Sequence, residues 1–359
     1  CRVGGVLYGL PSNRDIAQGR GCAAIATEYL DGIGYEVNSD DEIVKISLDE
    51  LNDIYAKLHE AYPDKEVYRP GTGSMNQFSN VDALGGNVFG VLLDYGQNLD
   101  VVNLFESDFY KDYCARLYDY NQKGYISADA STDTTAVGEL VKAGTLMSYT
   151  TGGKPGIKAQ ETTLTGRDMT IFQTLDDYIG STSVAGMPWT IPISAQHKEA
   201  AMKFLNECYS NADVANLLAW GIEGTHYKIG DDGLATYADG VDASNSGWNH
   251  SMGWMMPNQF LTHVWEGNDP DLWDKMRDFN NNAKVSKASG FSFDSTNVAN
   301  EITAVQNVYN EYQTSVEYGF VDPETGIAEM NDKMMAAGLQ KIIDEKAAQL
   351  AAWQEANKK

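Results

Sequence analysis

Aromatic rings interleaved with amide side chains are the residues of this sequence best suited to hold a ligand. The chain contains seven Trp and twenty Tyr, and tryptophan stands beside amides in the segments 248–250, 254–259 and 265–268. An indole ring can stack on the apolar face of a sugar while amides and carboxylates bind its hydroxyl groups. This pattern favours a carbohydrate site. The alternative for each ring is packing in a core, because aromatic residues dominate cores generally.

Catalytic and metal-binding patterns are absent from the sequence. The five His residues never form HxxxH or HExxH, and the nearest approach to a nucleophile elbow, at 180–184, lacks the closing Gly. Residues 119–130 imitate the start of an EF-hand loop, but Lys123 occupies position five and Ala130 stands where a bidentate Glu is needed. We interpret 119–130 as a helix-ending turn, and we expect no enzyme activity, no bound metal and no cofactor.

The elements that carry these residues alternate between strand and helix. A strand over 6–10 is stopped by Pro11, and a capping box at 47–50 opens a helix that runs to about Leu58. Periodicity predicts the remaining elements, which are helices over 107–122, 135–143, 197–208 and from 297 onward, and a strand over 145–149. Such alternation indicates an α/β architecture.

Length and charge limit the classes of function. A chain of 359 residues is too long for one ordinary core and suggests two domains. Its net charge of -25 argues against nucleic acid and against an anionic membrane surface as direct partners. No apolar run approaches the ~18 residues that a membrane-spanning helix needs. The four Cys residues are far apart and form no CxxC pair, so we interpret them as free thiols.

Several segments, in chain order, resemble a known family. They are residues 3–11 (VGGVLYGLP), 144–147 (GTLM), 186–192 (GMPWTIP) with the helix that follows, 217–227 (LLAWGIEGTHY) and 290–294 (GFSFD). Together they are similar to the extracytoplasmic solute-binding proteins of ABC importers, and in particular to an oligosaccharide-type lipoprotein subgroup with an extra C-terminal domain of unnamed function. The resemblance spans essentially the whole chain.

The resemblance implies a periplasmic-binding-protein-like fold of two α/β lobes joined by a hinge. The implied organisation is a crossing strand at 1–11, the main part of lobe two at 12–178, the C-terminal part of lobe one with an aromatic-rich insertion at 179–289, and C-terminal helices packing on lobe two at 290–359. The family normally places a signal peptide, a lipidated Cys and the opening βαβ units of lobe one before the first of these segments, so the first lobe is expected to be incomplete here. Cys1 is either a lipidation site or a fragment start. We favour the fragment start because Cys1 runs directly into a strand-like segment.

The function implied by the resemblance is capture of a carbohydrate, as an oligosaccharide, in the cleft between the lobes by hinge closure and without chemical change. The hinge strands would lie near 8–11, 178–183 and 289–291. The implied partners are the carbohydrate ligand and the permease subunits of the importer, with no nucleic acid. Membrane attachment is expected only through a lipid anchor on the full-length protein, which would act as a monomer at the extracellular face of the cell membrane.

The candidate ligand contacts follow from position in the family pattern. Asn13 and Arg14 come directly after the first crossing, and Tyr149 ends a strand that faces the cleft. The resemblance places the other candidates as rings that stack on the sugar (Trp189, Trp254 and Phe293) and as its polar partners (Asn258 and Asp294).

Three other functions stay open. The same fold carries peptides, polyamines and other small solutes, and charged pocket residues in place of aromatics would indicate such a ligand. A carbohydrate-active hydrolase with a cleft between its domains would cleave the sugar, and a structural surface adhesin would not need hinge closure. The sequence does not specify the sugar, its linkage or its length.

Overall fold

The computed structural model of the protein describes residues 1–3, 6–37, 42–71, 73–248 and 253–357. In these residues the strands are β1 (Arg2–Val3), β2 (Val6–Leu7), β3 (Leu10–Pro11), β4 (Gln18–Ala26), β5 (Val44–Lys45), β6 (Glu66–Arg69), β7 (Leu146–Gly153), β8 (Met169–Gln173), β9 (Asp177–Ile179), β10 (Pro188–Trp189), β11 (Tyr227–Ile229), β12 (Ala235–Tyr237) and β13 (Lys284–Val285). The helices are α1 (Thr27–Gly32), α2 (Leu48–Ala61), α3 (Ser74–Gln77), α4 (Asp108–Gln122), α5 (Val137–Ala143), α6 (Ile157–Thr165), α7 (Lys198–Ser210), α8 (Ala212–Trp220), α9 (Leu272–Asn282), α10 (Ala299–Glu317), α11 (Pro323–Ala336) and α12 (Leu339–Ala356). Parts of two sequence patterns, 4–5 and 249–250, lie outside the described residues.

The chain forms two compact units. Unit 1 contains residues 1–17, 154–156 and 183–282, and unit 2 contains residues 18–153, 157–182 and 283–359. Strands and helices occur in both units, which confirms the predicted α/β class. The lobe boundaries predicted after 11, 178 and 289 stay predictions. None of the helices in the described ranges is long and apolar enough to cross a membrane.

The core of unit 2 is a mixed sheet centred on β4. The strand order is β13-β9-β4-β7-β6, and β8 pairs with both β4 and β5. β4 runs antiparallel to β7, β8 and β9, whereas β6 is parallel to β7 and β5 to β8. From Cys22 to Ala26 every residue of β4 is fully buried. Such a continuous run of small and apolar residues is typical of a strand covered on both faces.

Local capping signals explain where the helices of unit 2 begin and end. The Ser47 hydroxyl accepts the backbone N–H of Glu50 at 3.1 Å, so the capping box opens α2 as predicted. Ser107 caps α4 in the same way, at 3.2 Å. Gly144 ends α5 with a φ of 74°, which suits glycine. These three predicted helices are confirmed.

Three helices, α10, α11 and α12, make up the C-terminal part of unit 2. Helical periodicity places Leu339, Ile343, Leu350 and Trp353 on one stripe of α12; the first three are buried and Trp353 is half-buried. The helical region predicted from 297 onward is interrupted before α11. Pro323 stands in the first turn of that helix and Asp322 is its N-cap, a combination that starts a new helix instead of continuing the old one.

A buried carboxylate lies at the end of α10. Glu317 is 2% exposed and accepts hydrogen bonds from Tyr309 Oη at 2.6 Å, Tyr110 Oη at 3.1 Å and Gln313 Nε2 at 3.1 Å. Burial raises the pKa of Glu317, and these donors oppose the rise only in part. The contribution of Glu317 to stability is therefore fully present below its ordinary value of 4.5 and is lost as the pH rises through the raised pKa.

We expect Glu317→Gln to gain stability relative to the wild-type protein as the pH rises from about 4.5 to about 8, by on the order of 1 kcal/mol, because an amide does not ionise. Urea unfolding at several pH values measures this difference. Glu329→Gln is a control of opposite sign, because hydrogen bonds from Tyr312 and Lys333 lower the pKa of the exposed Glu329. Its relative stability should fall as the pH rises through about 3 to 5, and it should stay level from there to about pH 8. Parallel pH profiles for wild type and Glu317→Gln would contradict this assignment.

Unit 1 is built from short strands and small helices. β3 pairs with β10, β11 pairs with β12, and a small apolar core is formed by Leu234, Val264, Leu272 and Met276. The prediction that Pro11 stops a strand over 6–10 is wrong, since Pro11 lies within β3 and pairs with proline in β10. In a two-stranded sheet both strands are edge strands. Proline, which lacks a backbone N–H, is therefore tolerated here because it removes no hydrogen bond from a central strand.

The predicted helix over 197–208 is observed as α7, but the apolar face that its periodicity indicates is only partly buried. Leu205 and Cys208 are buried, whereas Phe204 is 60% exposed. Helical periodicity predicts which residues share a face, but the cover on that face depends on residues distant in the chain.

Candidate functional site

Five of the eight predicted contact residues lie in unit 1, on segments that hydrogen-bond to one another. β3 pairs with β10, which carries Trp189. The backbone N–H of Asn13 donates to the carbonyl of Pro257 at 2.8 Å, and the carbonyl of Asn13 accepts from the N–H of Gln259 at 3.1 Å. These contacts join the segment after β3, strand β10 and the loop 253–259 into one surface.

Two tryptophan rings are exposed on this surface. Trp189 is 39% exposed and Trp254 is 37% exposed. The indole N–H of Trp189 donates to the carbonyl of Met255 at 3.1 Å, which fixes the ring next to the turn that carries Trp254. We call Trp189 and Trp254 the indole platform. A flat ring whose N–H is already bonded offers its face for stacking on an apolar surface, such as one side of a sugar.

Packing is the correct interpretation for three other tryptophans of unit 1, whereas Trp248 is 46% exposed. The rings of Trp220 and Trp265 lie 4.7 Å apart, and Tyr237 meets Trp265 edge-on at 5.0 Å. Trp273 is half-buried and its indole N–H donates to a backbone carbonyl at 2.7 Å. The aromatic-rich composition of the region therefore serves two purposes, an internal aromatic cluster and the exposed platform.

The predicted polar residues of unit 1 differ in how much of their side chain is free. The Asn13 side chain is exposed. The Arg14 guanidinium is half-buried and donates to two backbone carbonyls, at 2.5 and 3.3 Å. The Asn258 amide donates to one backbone carbonyl at 2.9 Å and accepts from one backbone N–H at 3.2 Å. Arg14 and Asn258 thus hold the surface together, and Asn13 offers an amide to solvent.

The three remaining predicted residues lie in unit 2. Tyr149 lies inside β7 instead of at its end, is buried, and donates its hydroxyl to Glu161 Oε2 at 2.5 Å. Phe293 is half-buried against an apolar cluster. Asp294 Oδ1 accepts from the backbone and the hydroxyl of Thr296, at 2.9 and 2.6 Å. All three have partners inside unit 2, and their role as ligand contacts stays a prediction.

A polar group that sequence reasoning missed lies in unit 2, where β4 begins. The Arg20 guanidinium donates to the carbonyl of Asn76 and lies 5.5 Å from the ring centroid of Tyr178. Arg20 Nε and Gln77 Oε1 are buried and have no hydrogen-bond partner among the described residues. Burial lowers the pKa of Arg20, although arginine stays charged in proteins. We call Arg20, Asn76 and Gln77 the polar edge.

No local pattern marks the polar edge in the sequence. Arg20 and Asn76 are 56 positions apart and meet only because α3 packs near β4. Unmet donors and acceptors of buried side chains are uncommon in native proteins, and a bound ligand or water is one way to satisfy them. The glycine on each side of Arg20 permits close backbone approach there but does not indicate a polar site.

The structure supports the interpretation of 119–130 as a helix end. Asp119 lies in the last turn of α4, and the Lys123 ammonium donates to its carboxylate at 2.7 Å. Among the residues that the structure describes, no group of three His, Cys, Asp or Glu side chains is placed to hold a metal ion.

Comparisons with known proteins relate the whole chain to transport proteins. Residues 287–355 match the family model of a domain of unknown function, DUF3502. The chain is 25% identical over 350 residues to the carbohydrate ABC transporter substrate-binding protein of Streptococcus pneumoniae serotype 4, an alignment that covers 96% of this chain and 68% of that protein.

Solved structures have the same fold. The crystal structure of the N-glycan transport solute binding protein NgtS from Streptococcus pneumoniae matches with a TM-score of 0.84 at 23% identity, over 99% of this chain and 77% of that chain. NgtS in complex with Man5GlcNAc matches with a TM-score of 0.74 at 22% identity, over 99% and 77%. The predicted α/β fold of periplasmic solute-binding proteins is confirmed. So is the similarity to ABC-importer solute-binding proteins with an extra C-terminal domain. These relatives are named as transport proteins and not as enzymes.

Proposed function

We propose that this protein is the extracytoplasmic solute-binding component of an ABC importer and that it captures an oligosaccharide without altering it. The observation that carries the proposal is the indole platform. Two large aromatic rings stay exposed on a well-bonded surface, although burying the exposed part of each would stabilise the fold by about 2 kcal/mol at about 25 cal/mol per Å². Exposed aromatic rings beside free amides suit recognition of sugars.

The named relatives support this ligand class. The Streptococcus pneumoniae relative is a substrate-binding protein for carbohydrate, and NgtS has been solved with an N-glycan oligosaccharide. An oligosaccharide of the N-glycan type is therefore the first ligand to test on this protein.

Further features of the proposal follow from the transport role. The ligand-bound protein would be recognised by the permease subunits of the importer. It would act at the extracellular face of the cell membrane as a monomer, held there by a lipid anchor. Capture by hinge closure is part of the same proposal.

A thermal-shift screen tests the proposal. Monosaccharides, oligosaccharides, peptides and polyamines are each added to the protein, because a ligand at a hundredfold its dissociation constant stabilises the folded state by ~2.7 kcal/mol. We expect selective stabilisation by one class of oligosaccharide. Stabilisation by peptides or polyamines alone would mean that the ligand is one of these solutes and not a carbohydrate. No shift with any compound, in a protein that melts cooperatively, would contradict binding of all these ligand classes.

We expect Gln77→Ala to weaken oligosaccharide binding about tenfold, because a hydroxyl group that satisfies Gln77 Oε1 contributes about 1 kcal/mol or more. Isothermal titration calorimetry measures the change. Gln306→Ala is the control, since Gln306 is half-buried on α10 and its amide nitrogen donates to the side chain of Asn310. Its affinity should be unchanged. Wild-type affinity in Gln77→Ala would show that Gln77 does not contact the oligosaccharide.

A further inference from the structure

The C-terminal domain of unknown function contains a buried cation. Lys346 of α12 is 0% exposed, and its ammonium donates to the carbonyl oxygens of Ala83 at 3.0 Å, Asn87 at 2.9 Å and Gly90 at 2.9 Å. A lysine ammonium has three N–H donors, so all three are used. Burial lowers the pKa of Lys346 to about 7, and the negative charge of Asp82 opposes this effect.

The three carbonyl groups belong to the loop 82–92, which has no helix of its own. The loop is closed at its ends, where the N–H of Asp82 donates to Leu92 at 2.8 Å and the N–H of Leu92 donates back at 2.9 Å. Between these ends, Leu84 has a φ of 56° and Gly90 a φ of 93°. A leucine adopts the left-handed conformation only where the surrounding structure stabilises it. The Lys346 ammonium contributes to this stabilisation by binding carbonyl groups on either side of Leu84.

Apolar contacts join the loop to the same domain independently of the lysine. Leu84 and Leu92 are buried in one cluster with Ala288, Phe291 and Leu350. The loop is therefore bound to the C-terminal domain by both its carbonyl groups and its leucine side chains.

The loop in turn holds the chain where it leaves unit 2. Asp82 Oδ2 accepts from the backbone N–H of Ser181 at 2.9 Å, and Asp82 Oδ1 accepts from the Ser181 hydroxyl at 2.7 Å. The carbonyl of Ser181 accepts from the N–H of Gly290 at 2.9 Å. The chain passes into unit 1 directly after Thr182. The loop and the C-terminal domain thus both bind the last residues before this crossing.

We propose that the C-terminal domain of unknown function is a brace, in which Lys346 supplies the cation around which loop 82–92 folds and Asp82 of the folded loop fixes the crossing segment 178–182. Without the ammonium, three carbonyl oxygens lose their donor, and unmet buried acceptors are costly. The brace does not depend on the identity of the ligand, so it goes beyond the proposed function.

Hydrogen exchange measured by mass spectrometry on Lys346→Ala tests the brace. We expect exchange to become at least tenfold faster in both 82–92 and 178–182, with no change in β11 and β12 of unit 1. The atoms removed by this substitution correspond to propylammonium. Propylammonium chloride should therefore restore slow exchange, whereas tetramethylammonium chloride, which has the charge but no N–H donor, should not. Lys341→Ala is the matched control, because Lys341 is exposed on the same helix and pairs with Glu301.

Several outcomes would overturn the brace. The first is unchanged hydrogen exchange in Lys346→Ala. The second is faster exchange in loop 82–92 with no change at 178–182. The third is that the two ammonium salts slow exchange equally. If Lys346→Ala does not fold, Asp82→Ala tests the second link, because alanine offers no acceptor to the N–H or the hydroxyl of Ser181. Exchange should then rise about tenfold at 178–182 while 87–90 stays protected. Unchanged exchange at 178–182 in Asp82→Ala would also overturn the proposal.

Discussion

Alanine at both Trp189 and Trp254 is expected to abolish detectable oligosaccharide binding, and alanine at either position to weaken binding roughly 10- to 100-fold. An aromatic side chain can bury about 150 to 250 Å². Only 37 to 39% of each ring is exposed, so the area that the sugar can cover is smaller than this. At about 25 cal/mol per Å² for that area, and with the stacking energy added, each ring contributes on the order of 2 kcal/mol to binding. Dissociation constants from isothermal titration calorimetry, with the oligosaccharide selected by the thermal-shift screen, measure the effect.

Trp248→Ala is the matched control for the indole platform. Trp248 belongs to the same unit, is 46% exposed, and donates its indole N–H to the carbonyl of Leu218 at 3.1 Å, as Trp189 does to its own backbone partner. Its replacement removes an equally large exposed ring from another part of unit 1, so affinity should stay at the wild-type value. Wild-type affinity in the double variant of Trp189 and Trp254 would show that the platform is not the binding surface.

The second large effect concerns stability and lies where β4 and β7 approach most closely. Gly19 pairs with Gly153, and a Cβ on Gly153 would lie 2.7 Å from Cys22 Sγ and 3.0 Å from Gly19 Cα. Gly153→Ala must therefore move backbone in the central strand pair of unit 2. We expect a loss of about 1 to 3 kcal/mol, the range for overpacking a close-packed core. Hydrogen exchange of the β4 and β7 amides measures the loss as roughly 5- to 150-fold faster exchange.

Gly152→Ala, one residue earlier, is the control for this effect. A Cβ on Gly152 meets only the Gln77 amide, at 3.8 and 4.0 Å, which is ordinary contact. Exchange in β4 and β7 should stay close to wild type. Equal effects of the two alanines would mean that loss of backbone freedom, and not the close approach of the two strands, determines the result.

Much of the fold could be predicted because its signals are local. The capping box at Ser47, the cap at Ser107 and the glycine at 144 act within a few residues of themselves, and the three helices that they begin or end were predicted. Strand β3 could not be predicted, because the pairing of Pro11 with Pro188 joins positions far apart in the chain. The exposed Phe204 has the same cause, since periodicity does not determine what covers a face.

The sequence predicted the kind of side chains at the candidate site better than it predicted which residues form it. Tryptophan beside amides indicated a carbohydrate surface, and Trp189, Trp254 and Asn13 are exposed on one bonded surface. The same composition also produced the buried cluster of Trp220 and Trp265, and only tertiary structure separates the two cases. The polar edge carries no local signal, because its unmet atoms result from packing between β4 and α3.

Calorimetric titration of the protein with Man5GlcNAc and related oligosaccharides, followed by mass analysis of the recovered sugar, tests the central claim most directly. Carbohydrate capture predicts saturable one-to-one binding of at least one of these oligosaccharides and recovery of the sugar at its original mass. Recovery of a shortened sugar would identify a hydrolase. No saturable binding of any oligosaccharide, by protein that binds a peptide or polyamine in the same buffer, would contradict carbohydrate as the ligand.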